Sequence, residues 1–222
     1  MSRNAPLPVP ETDTRVSIRF DGPVGEAPLL VFGHGAGAGI DHPLIEGFGA
    51  AFAASGLAVL RFQFPFMERR GGRGFGRDPL PVAIATVRAA VAEGRRHCGD
   101  QPLFAGGHSW GGRMCSHAAV EEGLPGVSGL VLLSFPLHGA KRPDTQRAAH
   151  LAQVGLPMCF VSGERDAMAA APLLEEIVAS LPAASLMRIP GADHGWKAPK
   201  RIWPDGPQQE VARLAAKWAS KV

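Results

Sequence analysis

A serine between two glycines is the first candidate for chemistry in this sequence. Ser109 stands in the run Gly-Gly-His-Ser-Trp-Gly-Gly, with Gly107 two residues before it and Gly111 two residues after it. A short apolar run precedes the motif, and a helix-favouring stretch follows it. In a sharp strand-to-helix turn the residues at these two positions crowd each other, so glycine is favoured at both. The pattern predicts that Ser109 is a nucleophile held at a strained turn.

The alternative is an ordinary glycine-rich turn that contains a serine. The flanking strand and helix patterns favour the nucleophile, and other serines compete poorly. Ser134 is followed by Phe-Pro rather than by a helix start, and Ser162 lies in a loop better suited to an acid.

A serine hydroxyl becomes a good nucleophile when a base takes its proton and a third group orients that base. With the serine in such a turn, the partners follow along the chain as acid and then histidine. The run Ser-Gly-Glu-Arg-Asp ends an apolar stretch at Asp166, and Gly-Ala-Asp-His-Gly-Trp places His194 after the last predicted strand. We predict His194 as the base and Asp166 as the acid.

Other residues compete for these two roles. Glu164 lies in the same loop as Asp166 but two positions earlier, and Asp193 is adjacent to His194, where the required geometry is rarely reached. Of the other seven histidines, His138 just after a strand is the hardest to dismiss. His108 adjoins the serine, but the turn should aim it away.

Acyl transfer also requires hydrogen-bond donors for the developing oxyanion. The first continuous apolar run ends in the glycine-rich stretch 33–39, Gly-His-Gly-Ala-Gly-Ala-Gly. We predict the backbone N–H groups of Ala36 and Trp110 as the two donors, with Gly35 or Gly37 as alternatives to Ala36. His34 is then expected to brace the loop. A dinucleotide-binding interpretation of the same stretch is disfavoured, because no helix begins directly after it.

An arginine-rich segment, residues 66–77, follows the strand predicted at 57–62. Arg69, Arg70 and Arg73 are candidates for binding a substrate carboxylate or phosphate through paired hydrogen bonds. The alternative, which we favour for most of them, is a solvated glycine-rich loop in which one arginine pairs with Glu68 or Asp78. Asp78 is also a candidate cap for the following helix.

Short apolar runs alternate with helix-favouring stretches along most of the chain. Strands are predicted at residues 16–20, 28–32, 57–62, 102–105, 129–133, 158–161 and 185–189. Helices are predicted at residues 43–55, 79–96, 111–122, 172–180 and 207–221. This alternation predicts one α/β domain over residues 15–222, with a mostly parallel sheet of about seven strands and helices on both faces. Residues 1–14 are expected to be a flexible lead-in.

Composition narrows the function classes. Apolar residues make up 45% of the 222 residues and charged residues 19%, and the net charge of +3 does not argue for nucleic acid as a partner. The three cysteines lack metal-ligand or disulfide spacing, and no apolar run suits a signal peptide or a membrane span. We therefore expect a cytoplasmic protein that needs no cofactor or metal and acts on a small molecule, with its oligomeric state open.

The motifs together resemble those of the α/β-hydrolase superfamily over nearly the whole chain. The runs GHGAGAG, RFQFPFMERR, GGHSWGGR, SFPLH, SGERD and GADHGW are similar to the small dienelactone hydrolase-like members, and more narrowly to a group typified by a testis-expressed hydrolase-like protein and an NSL-complex subunit. The resemblance implies a Ser-Asp-His site on Ser109, Asp166 and His194. Dienelactone hydrolases proper carry a cysteine nucleophile, so their substrate does not transfer.

These observations predict a serine hydrolase that cleaves small esters or thioesters. The segment between residues 133 and 158 has room for one helix and loops, so no lid domain is expected. The alternative is a catalytically idle hydrolase-like scaffold that binds protein partners. A complete set of three catalytic residue types argues against it, because a binding module requires none of them.

Overall fold

The computed structural model describes residues 6–10, 12–121, 123–140 and 142–222, and a seven-stranded sheet organises them. The strands are β1 (Leu7–Pro8), β2 (Arg15–Val16), β3 (Ile18–Asp21), β4 (Leu29–Gly33), β5 (Ala58–Phe62), β6 (Leu103–His108), β7 (Val127–Leu133), β8 (Met158–Gly163) and β9 (Ala184–Ile189). The helices are α1 (Pro43–Ala54), α2 (Pro65–Glu68), α3 (Leu80–His97), α4 (Trp110–Glu121), α5 (Ala171–Ala179) and α6 (Gln208–Ala219), with a 3₁₀ segment at Gln146–Gln153.

The large sheet has the strand order β3-β5-β4-β6-β7-β8-β9. Only the edge strand β3 is antiparallel to its neighbour, and the other five pairings are parallel. All residues of β4, β5, β6 and β8 are buried, as expected for parallel strands that are covered on both faces. The predicted α/β fold with a mostly parallel seven-stranded sheet is therefore confirmed.

Helices cover both faces of the sheet, and the sheet separates the core into two layers. The apolar residues of α3 and α4 pack in one layer, and those of α1 and α6 pack in the other. The predicted helices match α1, α3, α4, α5 and α6, and Glu122 at the end of one prediction lies outside the described residues. Helix α1 begins at Pro43, and the N-cap His42 accepts a hydrogen bond from the Leu44 N–H at 3.1 Å.

The structure differs from the expectation in the N-terminal segment. Leu7 pairs with Val16 in a small antiparallel ladder, and Leu7 and Val9 are buried against the core that includes α3. These apolar side chains gain more from burial than the segment loses in freedom. Residues 1–5 and Glu11 of the predicted lead-in lie outside the described residues, so the boundary at residue 14 stays a prediction.

The connection from β7 to β8 contains the 3₁₀ segment at Gln146–Gln153 and, in its described residues, loops. No separate layer of helices is built there among residues 134–140 and 142–157. In the described ranges of the chain, none of the helices has the length and apolar character required to span a bilayer.

Candidate active site

Ser109 occupies a single-residue turn between β6 and α4. Its φ angle is +52°, in the left-handed region that residues other than glycine seldom adopt. The Ser109 N–H donates to the carbonyl of Leu133 on β7 at 2.8 Å, and its own carbonyl accepts from the Arg113 N–H at 3.1 Å. The strand on one side and the first helical turn on the other therefore hold this backbone in its strained conformation.

The glycines beside Ser109 are required by the close approach of three backbone segments. A Cβ on either Gly107 or Gly111 would overlap the carbonyl oxygen of Gly33 at the end of β4, and one on Gly106 would overlap the carbonyl of Val131. These are backbone atoms that cannot rotate away. Glycine is therefore required at positions 107 and 111 because β4 packs directly against the turn.

Ser109, His194 and Asp166 form a continuous chain of hydrogen bonds. The Ser109 Oγ lies 2.9 Å from His194 Nε2, and His194 Nδ1 lies 2.9 and 3.0 Å from the two carboxylate oxygens of Asp166. Because a carboxylate accepts, Nδ1 carries the proton and Nε2 is the acceptor for the serine hydroxyl. The Asp166 side chain is fully buried, whereas His194 exposes 22% of its side chain.

Separate loops supply the histidine and the acid. Asp166 follows β8, and its Oδ1 also accepts from the Met168 N–H at 2.8 Å, which orients the carboxylate. His194 follows β9. The two loops pack closely together. The Arg165 N–H donates to the carbonyl of Ala192 at 2.9 Å, and a Cβ on Gly163 at the end of β8 would overlap that same carbonyl.

The competing acids hold the loops together instead of contacting His194. Asp193 accepts from the N–H groups of Gly195 and Lys197 at 2.9 Å each, so it shapes its own turn. Glu164 accepts from the Gly191 N–H at 3.0 Å. His138, the competing base, donates through Nδ1 to the Gly139 carbonyl and accepts at Nε2 from the Ala170 N–H.

His108 is a site residue that the sequence analysis set aside. Its Nε2–H donates to the carbonyl oxygen of His194 at 3.1 Å, and its ring lies 5.6 Å from the His194 ring. Its Nδ1 is buried, has no hydrogen-bond partner among the described residues, and faces Gly35. Burial, with a smaller contribution from the charge of His194, lowers the pKa of His108 to about 4, so the ring is neutral near pH 7. No local sequence signal predicts this contact across 86 positions.

The loop after β4 lies directly beside Ser109. A Cβ on Gly35 would stand 3.6 Å from the Ser109 Cβ, and the carbonyl of the buried Ala36 accepts from the Gly76 N–H at 3.0 Å. His34 braces this loop as predicted. Its Nδ1–H donates to the Gly35 carbonyl at 2.7 Å, and its Nε2 accepts from the Phe64 N–H at 3.0 Å.

His34 is a neutral ring, and the Trp110 side chain is packed among aromatic neighbours. Burial lowers the pKa of His34 to about 4, so its two hydrogen bonds are those of a neutral ring. The buried Trp110 side chain packs edge-on against Phe64 and Phe66, with ring centroids 4.5 and 5.3 Å away. Trp110 is the first residue of α4, so its backbone N–H belongs to the helix N-terminus, where donors have no partner within the helix.

The arginine-rich segment has one paired member. Arg69 forms an ion pair with the buried Asp78 at 2.9 Å, and the other Asp78 oxygen accepts from the Phe66 N–H at 3.0 Å. Asp78 therefore does not cap α3, whose N-cap is Pro79. The Arg70 side chain lies over Gly74 and Gly76, and Arg73 is exposed. Hydrogen bonds join neither of them to the three-residue chain at Ser109.

A model of an alpha/beta hydrolase domain matches residues 26–221 of this chain. This chain belongs to the α/β-hydrolase family. Solved structures agree on the fold of this α/β hydrolase. A dienelactone hydrolase from Anabaena variabilis is 20% identical, with 98% of this chain and 96% of that chain covered and a TM-score of 0.74.

Two further structures similar to this α/β hydrolase come from other bacteria. An alpha-beta serine hydrolase homologue from Coxiella burnetii is 16% identical, covers 98% of this chain and 97% of its own, and gives a TM-score of 0.73. Est1E from Butyrivibrio proteoclasticus is 15% identical, with coverages of 93% and 94% and a TM-score of 0.70.

Proposed function

We propose that this α/β hydrolase is a serine hydrolase that cleaves small esters or thioesters through an acyl-enzyme on Ser109. The observation that carries the proposal is the hydrogen-bond chain from Ser109 Oγ through His194 to the buried Asp166. Its distances are those expected for a nucleophile, a general base and the group that orients the base.

The first half-reaction follows from this geometry. Ser109 Oγ attacks the ester carbonyl carbon while its proton moves to His194 Nε2, and the positive ring is stabilised by Asp166. The bond to the alcohol or thiol then breaks, and the leaving group takes the proton from Nε2. In the second half-reaction water gives a proton to His194 Nε2 as it attacks the acyl carbon. The bond to Ser109 Oγ then breaks, His194 returns the proton to Oγ, and the acid leaves.

Backbone N–H groups of Ala36 and Trp110 are proposed to bind the oxyanion. Ala36 lies in the loop that contacts Ser109 through Gly35, and Trp110 directly follows the nucleophile. The positive end of α4 adds to the stabilisation of negative charge at this point. Each donor is expected to lower the barrier by about 3 kcal/mol.

The substrate class rests on neighbouring structures and on the site's access. Similar structures carry the names of a dienelactone hydrolase, an alpha-beta serine hydrolase homologue and Est1E. His194 is partly exposed beside loops rather than under an added domain, so a small substrate can reach it directly. Arg69, Arg70 and Arg73 stay candidates for substrate binding. The cytoplasmic location also stays a prediction. The same holds for the narrower resemblance to the group typified by a testis-expressed hydrolase-like protein and an NSL-complex subunit.

The second candidate is a catalytically idle scaffold for protein partners. The strain at Ser109 argues against it, because a positive φ at a non-glycine residue costs free energy that a binding surface does not require.

A fluorophosphonate tests the proposal without a guess about the substrate. The probe reacts with activated serines, and the intact mass reports the adduct. We expect one adduct on the wild type, none on Ser109→Ala, and labelling at least 100-fold slower on His194→Ala. Ser134→Ala is the matched control and should label like the wild type. A folded wild type without an adduct would overturn the enzyme and favour the scaffold.

A further inference from the structure

The arginine-rich segment is closed into a compact loop by the buried carboxylate that follows it. Asp78 accepts from the Phe66 N–H at 3.0 Å and from the Arg69 guanidinium at 2.9 Å, so the two ends of the segment lie together. Within the segment, the Gly72 N–H donates to the Met67 carbonyl at 2.9 Å. Compact surface loops that are held by their own contacts in this way are frequently functional.

This closed segment packs on the loop after β4 at two neighbouring points. The Gly76 N–H donates to the Ala36 carbonyl at 3.0 Å. A Cβ on Gly37 would lie 3.6 Å from the Cδ2 atom of the Phe75 ring, which is ordinary van der Waals contact. The Phe75 ring therefore lies against the loop that is proposed to supply one of the oxyanion donors.

The same loop also contacts the nucleophile. A Cβ on Gly35 would lie 3.6 Å from the Ser109 Cβ. Gly35 and Gly37 are two residues apart, a span of at most about 7 Å along the chain. Ser109 and Phe75 therefore contact the loop after β4 at neighbouring positions, on either side of Ala36 in the sequence.

A second set of contacts connects Phe75 to the other proposed donor. A Cβ on Gly76 would stand only 2.8 Å from the Phe66 ring, so this backbone lies directly on that ring. The Phe66 ring in turn packs edge-on against the Trp110 ring, with centroids 5.3 Å apart. Trp110 follows Ser109 in the chain. The backbone next to Phe75 is thus joined to both sides of the proposed oxyanion site.

Phe75 itself is left largely open to solvent. Of the large apolar side chains in the part of the chain that the structure describes, it is the most exposed, at 65%. Its ring is nevertheless held, by the contact at Gly37 and by the Arg77 guanidinium 5.7 Å from its centre. Single exposed apolar residues are common on protein surfaces. This one differs because it presents apolar surface within reach of a substrate whose carbonyl lies at Ser109.

We propose that Phe75 is a specificity-determining residue that contacts an apolar group of the ester substrate. This inference rests on the proposed function, since it names the substrate class of the same site. Contact between the ring and such a group removes apolar surface of both from water, which favours binding. Ligand sites generally combine apolar and aromatic walls with a few polar groups. The preferred substrates are therefore esters or thioesters with an extended apolar chain or ring, rather than short acetyl or methyl esters.

Two pairs of esters test the contact. The first pair, 4-nitrophenyl acetate and 4-nitrophenyl hexanoate, varies the acyl group with a constant leaving group. The second pair, ethyl acetate and hexyl acetate, varies the alcohol with a constant acyl group. We expect the wild type to prefer the longer ester of at least one pair by about tenfold or more in kcat/KM. The pair that shows the preference identifies the side of the ester that Phe75 contacts.

Two variants of Phe75 assign this preference to its ring. Phe75→Ser should reduce the preference about fivefold or more, whereas Phe75→Leu keeps an apolar side chain and should retain most of it. The loss should appear mainly as a raised KM for the longer ester, because Phe75 binds the substrate and does not touch the reacting atoms. Since the ring is largely exposed, both variants should unfold in urea at the wild-type midpoint.

The matched control is Val222→Ser. Val222 is the last residue and another exposed apolar side chain, at 50% exposure, so the change removes apolar surface away from the loop after β4. This variant should keep the wild-type preference. The role of Phe75 is overturned if neither pair shows a preference in the wild type, if the preference survives Phe75→Ser, or if Val222→Ser loses it equally.

Fluorophosphonate labelling separates this failure from that of the proposed function. If Ser109 labels and Phe75→Ser leaves the ester preference unchanged, the hydrolase stands and the role of Phe75 falls. If Ser109 does not label in a folded protein, the proposed function itself falls. Probes with a methyl or an octyl group on phosphorus add a readout without turnover: the wild type should label faster with the octyl probe, and Phe75→Ser should lose most of that advantage.

Discussion

The Nε2–H of His108 donates to the backbone carbonyl of His194, 3.1 Å away. This bond ties the last residue of β6, which precedes the nucleophile, to the loop that carries the proposed base. The position of His194 thus depends on His108 as well as on Asp166. His108 is a positioning residue, because it acts through His194.

Replacing His108 by phenylalanine should slow catalysis without abolishing it. The variant keeps an aromatic ring of similar size but removes the donor, so the loop of His194 is held less firmly. We expect fluorophosphonate labelling and kcat to fall about tenfold, the worth of about 1.4 kcal/mol, with a smaller change in KM. His97→Phe on α3, where His97 pairs with Glu93, is the control and should behave as the wild type. Unchanged kcat in His108→Phe would contradict the positioning role.

Asp166→Asn should be far more damaging than Asp193→Asn. An amide in place of the Asp166 carboxylate no longer stabilises the positive ring or the Nδ1–H tautomer, so kcat should fall by about 10³ to 10⁴. Asp193→Asn keeps the oxygen that accepts from Gly195 and Lys197, and its kcat should stay within about tenfold of the wild type. Steady-state kinetics on an ester substrate decide between them. Equal losses would remove Asp166 from its proposed role.

Gly111→Ala should destabilise the protein strongly. Its Cβ would overlap the carbonyl oxygen of Gly33, so β4 and the turn at Ser109 must move apart, at a cost of about 3 kcal/mol. Gly47→Ala in α1 is the matched change, because nothing lies within 4 Å of a Cβ there. It should raise stability by about 0.5 to 1 kcal/mol. Urea unfolding gives both values, and an unaffected Gly111→Ala would contradict the close packing.

Stability should fall as the pH drops below about 6.5. The pKa values of His34 and His108 are about 4 in the folded protein, below the ordinary value of 6.5. The unfolded chain therefore binds protons that the folded protein excludes. The share of the free energy of unfolding that depends on these two neutral histidines is fully present above pH 6.5. It is lost progressively down to pH 4, at up to about 1.4 kcal/mol per pH unit for each histidine.

His34→Gln tests how much of this loss of stability at low pH comes from His34. A glutamine amide offers one acceptor for the Phe64 N–H and one donor for the Gly35 carbonyl, but it does not titrate. The variant should lose less stability than the wild type between pH 6.5 and pH 5 in urea unfolding. Identical slopes for the two proteins would contradict the buried neutral state of His34.

Much of the fold could be predicted from local patterns, for a physical reason. Strands buried on both faces must be largely apolar, so β4 to β8 were recognisable as apolar runs, whereas the partly buried edge strands β3 and β9 have weaker patterns. The exceptions are instructive. The prediction at 102–105 missed that β6 continues through Gly106 to His108, because glycines lower strand propensity and the demand for them comes from Val131 on the neighbouring strand.

By itself the sequence determined which elements form and where Ser109, Asp166 and His194 stand at their ends, since strand periodicity and the glycine pattern are local. Tertiary structure alone decided what those residues contact. It separated Asp166 from Asp193 and Glu164, turned His108 toward His194, and paired Arg69 with Asp78. Such contacts join residues far apart in the chain, and only the packing of strands and helices determines which side chains meet.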